Sequence, residues 1–245
     1  MSAVDHEAHI DAIERESAAF VAAAAATSGE ARVPSCPDWD VDELLRHVGT
    51  VQRWAAGMVE RRATEPEWRG ELDAPTDRDA LLDWSRAGSA ELVEVLRATP
   101  PDAELWTFPG MGHARFWSRR QAHEIALHRV DAQLAGGTPE AIDSDLACDG
   151  IDEFFEVIAP FRLRERLVGD GESLHFHRTD GDGEWLVRLT PEGPEIERAH
   201  AKGDVAVRGG ASDLLLVLRN RAGLDAVEVF GDEALLARWH ELAAI

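Results

Sequence analysis

WSRRQAHEIALHRVDAQ, residues 117–133, sets His123 and Glu124 side by side, then His128, then Asp131. It is not the H-E-x-x-H helix in which two histidines four apart grip one ion. His123 and His128 are five apart and diverge around an α-helix. Glu124 and His128 are i and i+4, with Asp131 at i+7, so these three form one polar line along a helix. Leu127, Val130 and Leu134 border that line on one side, Ile125 and Ala132 on the other. A polar line flanked by apolar residues faces inward, where a carboxylate without a partner is costly. The stretch therefore predicts a helix packed among other helices.

Three more segments carry the same periodicity. The first holds Ile10, Ile13, Phe20, Val21 and Ala24, and the second Leu44, Leu45, Val48, Val51, Trp54, Ala55 and Met58. The third runs over residues 77–98 with Leu81, Leu82, Trp84, Leu92, Val95 and Leu96. Asp40 with Glu43 three residues on is a start signal for the second, and Ala135-Gly136-Gly137 closes the fourth. Four amphipathic helices predict a four-helix bundle over residues 1–140.

The pattern changes near residue 140, with a linker at 136–145. One more helical segment, DGIDEFFEVIAPF, precedes SLHFHR and WLVRLT, which alternate around TDGDGE and predict a hairpin. A strand in DVAVRG, a helix in ASDLLLVLRNR, a strand in DAVEVFG and a terminal helix in DEALLARWHELAA follow. Residues 141–245 are thus expected to be a small α+β domain.

The formal charge of −22 argues against nucleic acid or an anionic membrane surface as partner. Of the 25 basic residues only Lys202 is lysine, a bias associated with GC-rich genomes. Cys36 and Cys148 lack redox or zinc-thiolate spacing and read as ordinary thiols in a reducing cytoplasm. The apolar run at residues 18–26 follows an acidic segment, unlike a signal peptide, and is too short to span a bilayer. A cytoplasmic protein is expected.

Within the second helix His47 lies among Leu44, Val48, Val51 and Trp54. Two bundle helices can therefore present His47 opposite Glu124 and His128, a His, His, Glu set with open positions of the kind that holds catalytic zinc. Asp131 can orient an imidazole from behind. Spacing alone leaves the bland alternative open: a satisfied core histidine and a surface Glu–His pair. His123 reads as a packed residue. Arg119 and Arg120 read as a solvated face, with Arg120 able to pair with Glu124 when no metal is bound. His6 and His9 lie on an acidic segment, His175 and His177 share one strand face, and His113, His200 and His240 have no evident partners.

CPDWDVDELLRHVG, RRQAHEIALHRVDAQLA, DGIDEFF, VRGGASDLLLVLRNR and VEVFGDEALLARW, in this order, resemble the mycothiol-dependent maleylpyruvate isomerase family across nearly the whole chain. The resemblance implies a DinB-like metal-binding four-helix bundle followed by a sterol-carrier-protein-like α+β domain. It implies a divalent metal, usually zinc, on His47, Glu124 and His128, with mycothiol as cosubstrate. Arg221 matches a basic position of the family and is a candidate for holding an anionic group of the thiol or substrate, although Arg219 and Asn220 stand where the family tends to have Trp and Gly. The implied partners are a low-molecular-weight thiol and a small electrophile, and the implied chemistry is isomerisation or thiol S-transfer with no protein nucleophile. Two rivals stand beside it: metal-assisted hydrolysis at the same residues, and a non-catalytic binder of an apolar ligand.

Overall fold

The computed structural model describes residues 4–66 and 72–243. The chain forms two compact units that divide between Glu140 and Ala141. Among the described residues, no helix is long and apolar enough to cross a membrane.

The N-terminal unit is built on α1 (His6–Ala26), α2 (Val41–Glu60), α3 (Arg78–Ala98) and α4 (Ala114–Gly136). Each of the first three starts on an aspartate whose carboxylate accepts a backbone N–H of the first turn: Asp5 from Ala8, Asp40 from Glu43 and Asp77 from Ala80. On α2 the cap is reciprocal, since the Asp40 N–H donates to the Glu43 carboxylate at 2.8 Å. Helix α4 stops at Gly137, whose φ of 152° is open to glycine. α1 lies against α4 and α3, and α2 against α3 and α4, so the predicted stripes meet in one core. At one point α2 and α3 approach closely enough that only glycine fits: a Cβ on Gly49 would sit 2.2 Å from the Trp84 ring. The Arg53 guanidinium covers that ring from 3.9 Å.

Two short antiparallel hairpins, absent from the expected pattern, interrupt the bundle. Strands β1 (Arg32–Val33) and β2 (Cys36–Asp40) lead into α2, and β3 (Glu104–Thr107) and β4 (Gly110–His113) lead into α4. The second hairpin is tied to α4 through the fully buried Trp117, whose indole N–H donates to the Trp106 carbonyl at 3.0 Å.

The C-terminal unit holds a five-stranded sheet of β5 (Ser173–Arg178), β6 (Glu184–Thr190), β7 (Gly193–Glu197), β8 (Val205–Gly209) and β9 (Glu228–Gly231), in the order β7-β6-β5-β8-β9. The β5/β8 pair is parallel and the others antiparallel. Helices α5 (Ser144–Glu153), α6 (Ala211–Leu218) and α7 (Glu233–Leu242) complete it. The aromatic core of Phe154, Phe155, Phe176, Trp185 and Trp239 is almost wholly inaccessible. Two features differ from the sequence expectation. The helix expected through Phe161 is α-helical only to Glu153 and continues as a π-helix over Phe154–Leu163, with Pro160 inside it. An edge strand, β7, carries Pro194, which edge positions tolerate. The architecture is nonetheless the expected one, a helical bundle followed by an α+β unit.

Candidate metal centre

The site of the N-terminal unit is assembled from α2, α4 and the β1–β2 hairpin. His47 lies two residues before Gly49, on the stretch of α2 that the close helix contact fixes. Glu124 and His128 sit one turn apart on α4, as their spacing requires. His128 Nε2 lies 3.3 Å from Glu124 Oε1, His47 Nε2 lies 3.9 Å from the same oxygen, and the two imidazole centroids are 5.1 Å apart. One donor atom from each residue falls within 4.8 Å of the others. Two donors held at about 2.0–2.1 Å from a tetrahedral zinc are about 3.3 Å apart, so the set fits such an ion with small side-chain rotations.

The hydrogen bonding behind the ligands makes the fit more specific. Asp131 is fully buried and its Oδ2 lies 2.8 Å from His128 Nδ1. A carboxylate only accepts, so this contact places a proton on Nδ1 and leaves Nε2 of a neutral ring as an acceptor. That acceptor faces the Glu124 carboxylate oxygen, a second acceptor. Two acceptors 3.3 Å apart call for a positive charge between them, either a further proton or a cation. Electrostatics favour the charge. Desolvation pushes the Glu124 carboxyl up, but the Arg120 guanidinium and hydrogen bonds from His128 and His47 outweigh it and hold the pKa well below the usual carboxylate range. Burial likewise works against a charged His128, and the Asp131 and Glu124 carboxylates overcome it and raise its pKa. The group is thus arranged around stabilised positive charge.

Several neighbours escaped the sequence reading. Ser35, in the turn of the β1–β2 hairpin, donates to Asp131 Oδ1 at 2.5 Å. Trp39 of β2 lies against His47, with ring centroids 4.6 Å apart. A cleft of about 440 Å³ opens beside His47, lined in part by Trp39, Arg46 and Thr50. The hairpin signal was a proline-containing run with no alternation, which periodicity does not detect. Arg120 corrects an expectation: it is buried rather than part of a solvated face, because it reaches the second oxygen of Glu124. His123 is buried edge-on against His9, with centroids 5.8 Å apart, as a packed residue would be. Arg221 lies just beyond α6 in the C-terminal unit, where its Nη1 donates to the Arg219 carbonyl at 2.7 Å. Two histidines read as having no evident partner do have one: His113 Nδ1 meets the Asp102 carbonyl at 3.0 Å, and His200 Nδ1 meets Glu184 at 2.6 Å.

Comparison with known proteins gives the family and the fold of the two units. The family model for the mycothiol maleylpyruvate isomerase N-terminal domain matches residues 10–133, and that for the C-terminal domain of the same family matches residues 145–238. Among solved structures, the mycothiol-dependent maleylpyruvate isomerase superposes with a TM-score of 0.61 at 16% identity, covering 92% of this chain and 93% of that one. A histidine-to-alanine mutant of that isomerase gives 0.63 at 15% identity with the same coverage. At such identity these two likenesses show the fold. No curated protein matches the sequence. The two family matches, one on each unit and in the same order, place the chain in the mycothiol-dependent maleylpyruvate isomerase family.

Proposed function

We propose that this chain is a mycothiol-using isomerase or thiol S-transferase acting on a small electrophile, with a divalent metal, zinc by its donor set, on His47, Glu124 and His128. The observation that supports the metal is the convergence of one donor atom each from His47, Glu124 and His128 within 4.8 Å, with Asp131 behind His128. His47, Glu124 and His128 would hold the divalent cation, which would supply Lewis-acid charge to lower the pKa of an incoming thiol.

The protein's own residues orient and enclose. Asp131 fixes the ring of His128 and its tautomer, and Ser35 fixes Asp131. Arg120 occupies one oxygen of Glu124 and leaves the other facing the histidines. Arg46, in the wall of the adjoining cleft, offers a planar cation to an anionic group of the substrate. Arg221 is the residue of the C-terminal unit proposed to hold an anionic group. In an isomerisation the sulfur adds to a conjugated double bond, forming a C–S bond as the π bond breaks. Rotation about the resulting single bond follows, and the C–S bond then breaks as the double bond reforms. The thiol is returned unchanged. In a transfer by addition the C–S bond is kept and the proton lost by the thiol is taken up at the carbon where the π electrons end.

Metal-loaded protein given mycothiol and a panel of electrophiles, followed by mass spectrometry, tests this reading. Isomerised product or thiol adducts that vanish when mycothiol is omitted are the expected outcome; water adducts formed without thiol would replace it with hydrolysis. Metal analysis tests the ligand set: His47→Ala loses the bundle metal, whereas His123→Ala retains it per folded chain. Equal metal content in the two variants would show that the wrong histidine was assigned.

A further inference from the structure

A second group of histidines converges in the C-terminal unit. His175 and His177 are i and i+2 on β5, so both project from one face of the sheet. The β5–β6 register sets Glu184 directly across from His177. His200 comes from the connection between β7 and β8. Three imidazole nitrogens surround one carboxylate oxygen, Glu184 Oε2: His200 Nδ1 at 2.6 Å, His175 Nε2 at 2.9 Å and His177 Nδ1 at 3.3 Å. A ligand atom from each of the four residues lies within 4.8 Å of the rest.

The His200 and His175 nitrogens lie within hydrogen-bonding reach of that oxygen and match its two lone pairs, while the His177 nitrogen, at 3.3 Å, is close to it without a hydrogen bond of its own. A cation among the four would engage all of them at once, His177 included, because each nitrogen then presents a lone pair to it. The separations from Glu184, 2.6, 2.9 and 3.3 Å, lie at or below the ~3.3 Å edge of a tetrahedral zinc shell, so an ion enters with the exposed His200 and the His175 ring moving outward by a few tenths of an ångström. The donors also stand on firm backbone: β5 is hydrogen-bonded on both sides, by β6 and by β8. His175 is buried while the His200 side chain is 83% exposed, so an ion has both a fixed floor and a path from solvent. Three imidazoles and one carboxylate suit Zn²⁺ and its transition-metal neighbours rather than Mg²⁺ or Ca²⁺, which prefer all-oxygen shells.

We propose that His175, His177, Glu184 and His200 form a second divalent transition-metal site of the Zn²⁺ type, separate from the bundle donors, which fastens the β7–β8 connection to the sheet. Four protein donors complete a tetrahedral shell, so the site is structural in kind. It does not depend on the isomerase reading.

The test uses the full chain carrying His47→Ala and His128→Ala, which removes two bundle donors. Metal-free protein is titrated with Zn²⁺ against a chromophoric chelator, and with Co²⁺ while following the visible bands of four-coordinate cobalt. The expected result is about one equivalent bound per chain with tetrahedral cobalt bands. His200→Ala, at a side chain too exposed to govern folding, weakens that binding more than about tenfold, since losing even an outer partner of a ligand costs about 10–100-fold. His177→Ala does the same, with circular dichroism confirming the fold. Zn²⁺ also slows tryptic cleavage after Arg198 and Lys202 in the connection, and His200→Ala abolishes that slowing. Failure of the starting protein to bind Zn²⁺, binding indifferent to both substitutions, or cleavage unaffected by Zn²⁺ would each overturn the proposal. If the bundle donors were misassigned, the starting protein would hold a second ion, but the loss on His200→Ala would still be read independently.

Discussion

The bundle group draws two of its three donors from one helix, spaced i and i+4, while the sheet group draws two of its four from one strand, spaced i and i+2. The helical pair has its orienting carboxylate, Asp131, on the same helix one turn further on, and that carboxylate is itself held by Ser35. The strand pair gets its carboxylate from the neighbouring strand and its last histidine from a loop. The first arrangement holds its imidazole from behind and leaves a cleft beside it; the second gathers three imidazole nitrogens around one carboxylate oxygen. One geometry suits chemistry and the other suits fastening.

The largest expected effect is on the bundle side of that contrast. His47→Ala should reduce thiol-dependent turnover by more than about 100-fold, beyond the 10–100-fold typical of losing a mere supporting partner. Steady-state assays with a saturating thiol measure it, and turnover within a few-fold of the unaltered chain would put the chemistry elsewhere. Next comes Asp131→Asn, which keeps the shape but no longer fixes the His128 tautomer. A loss of about 10–100-fold in metal affinity is expected, read by competition with a chelator, with Ser35→Ala weaker in the same direction. An unchanged affinity would mean that Asp131 packs rather than orients.

A smaller effect tests what positions His47. Gly49→Ala forces a methyl group into the Trp84 ring, and overpacking of this kind costs about 1–3 kcal/mol in denaturant unfolding. A neutral result would show that α2 and α3 part easily at that point. The smallest effect belongs to the sheet unit. Asp204 accepts from the Ser173 hydroxyl and N–H, each at 2.8 Å, and these bonds hold its carboxyl below its ordinary value. A depressed folded pKa contributes stability that is present above the unfolded value of about 3.9 and lost as pH falls through the folded one. Asp204→Asn should therefore flatten the acid side of the stability curve below about pH 4 and leave its shape at higher pH intact, as acid titration followed by fluorescence would show.

The same contrast explains what could be read from the sequence. A helix brings residues four apart onto one face, so Glu124, His128 and the partner position of Asp131 were visible as a line of letters. The reciprocal cap of Asp40 and Glu43 was visible for the same reason, being local. His200 was not, because its contact with Glu184 depends on strand register and on a connection following an edge strand that has no alternating pattern. Arg120 was misread as solvated because the i, i+4 spacing shows that it can reach Glu124 but not that the pair is covered. The π-helix at Phe154–Leu163 was hidden too, since its apolar residues look like those of an α-helix until the turn widens.

The β1–β2 hairpin touches both histidines of the bundle group, His128 through Ser35 and Asp131, and His47 through Trp39. Any ligand that steadies the two imidazoles therefore also steadies the hairpin, by the reciprocity of linked equilibria. Its backbone amides become a clock for occupancy: their exchange with deuterium should slow when the centre is filled and quicken when it empties, well before the helices themselves open.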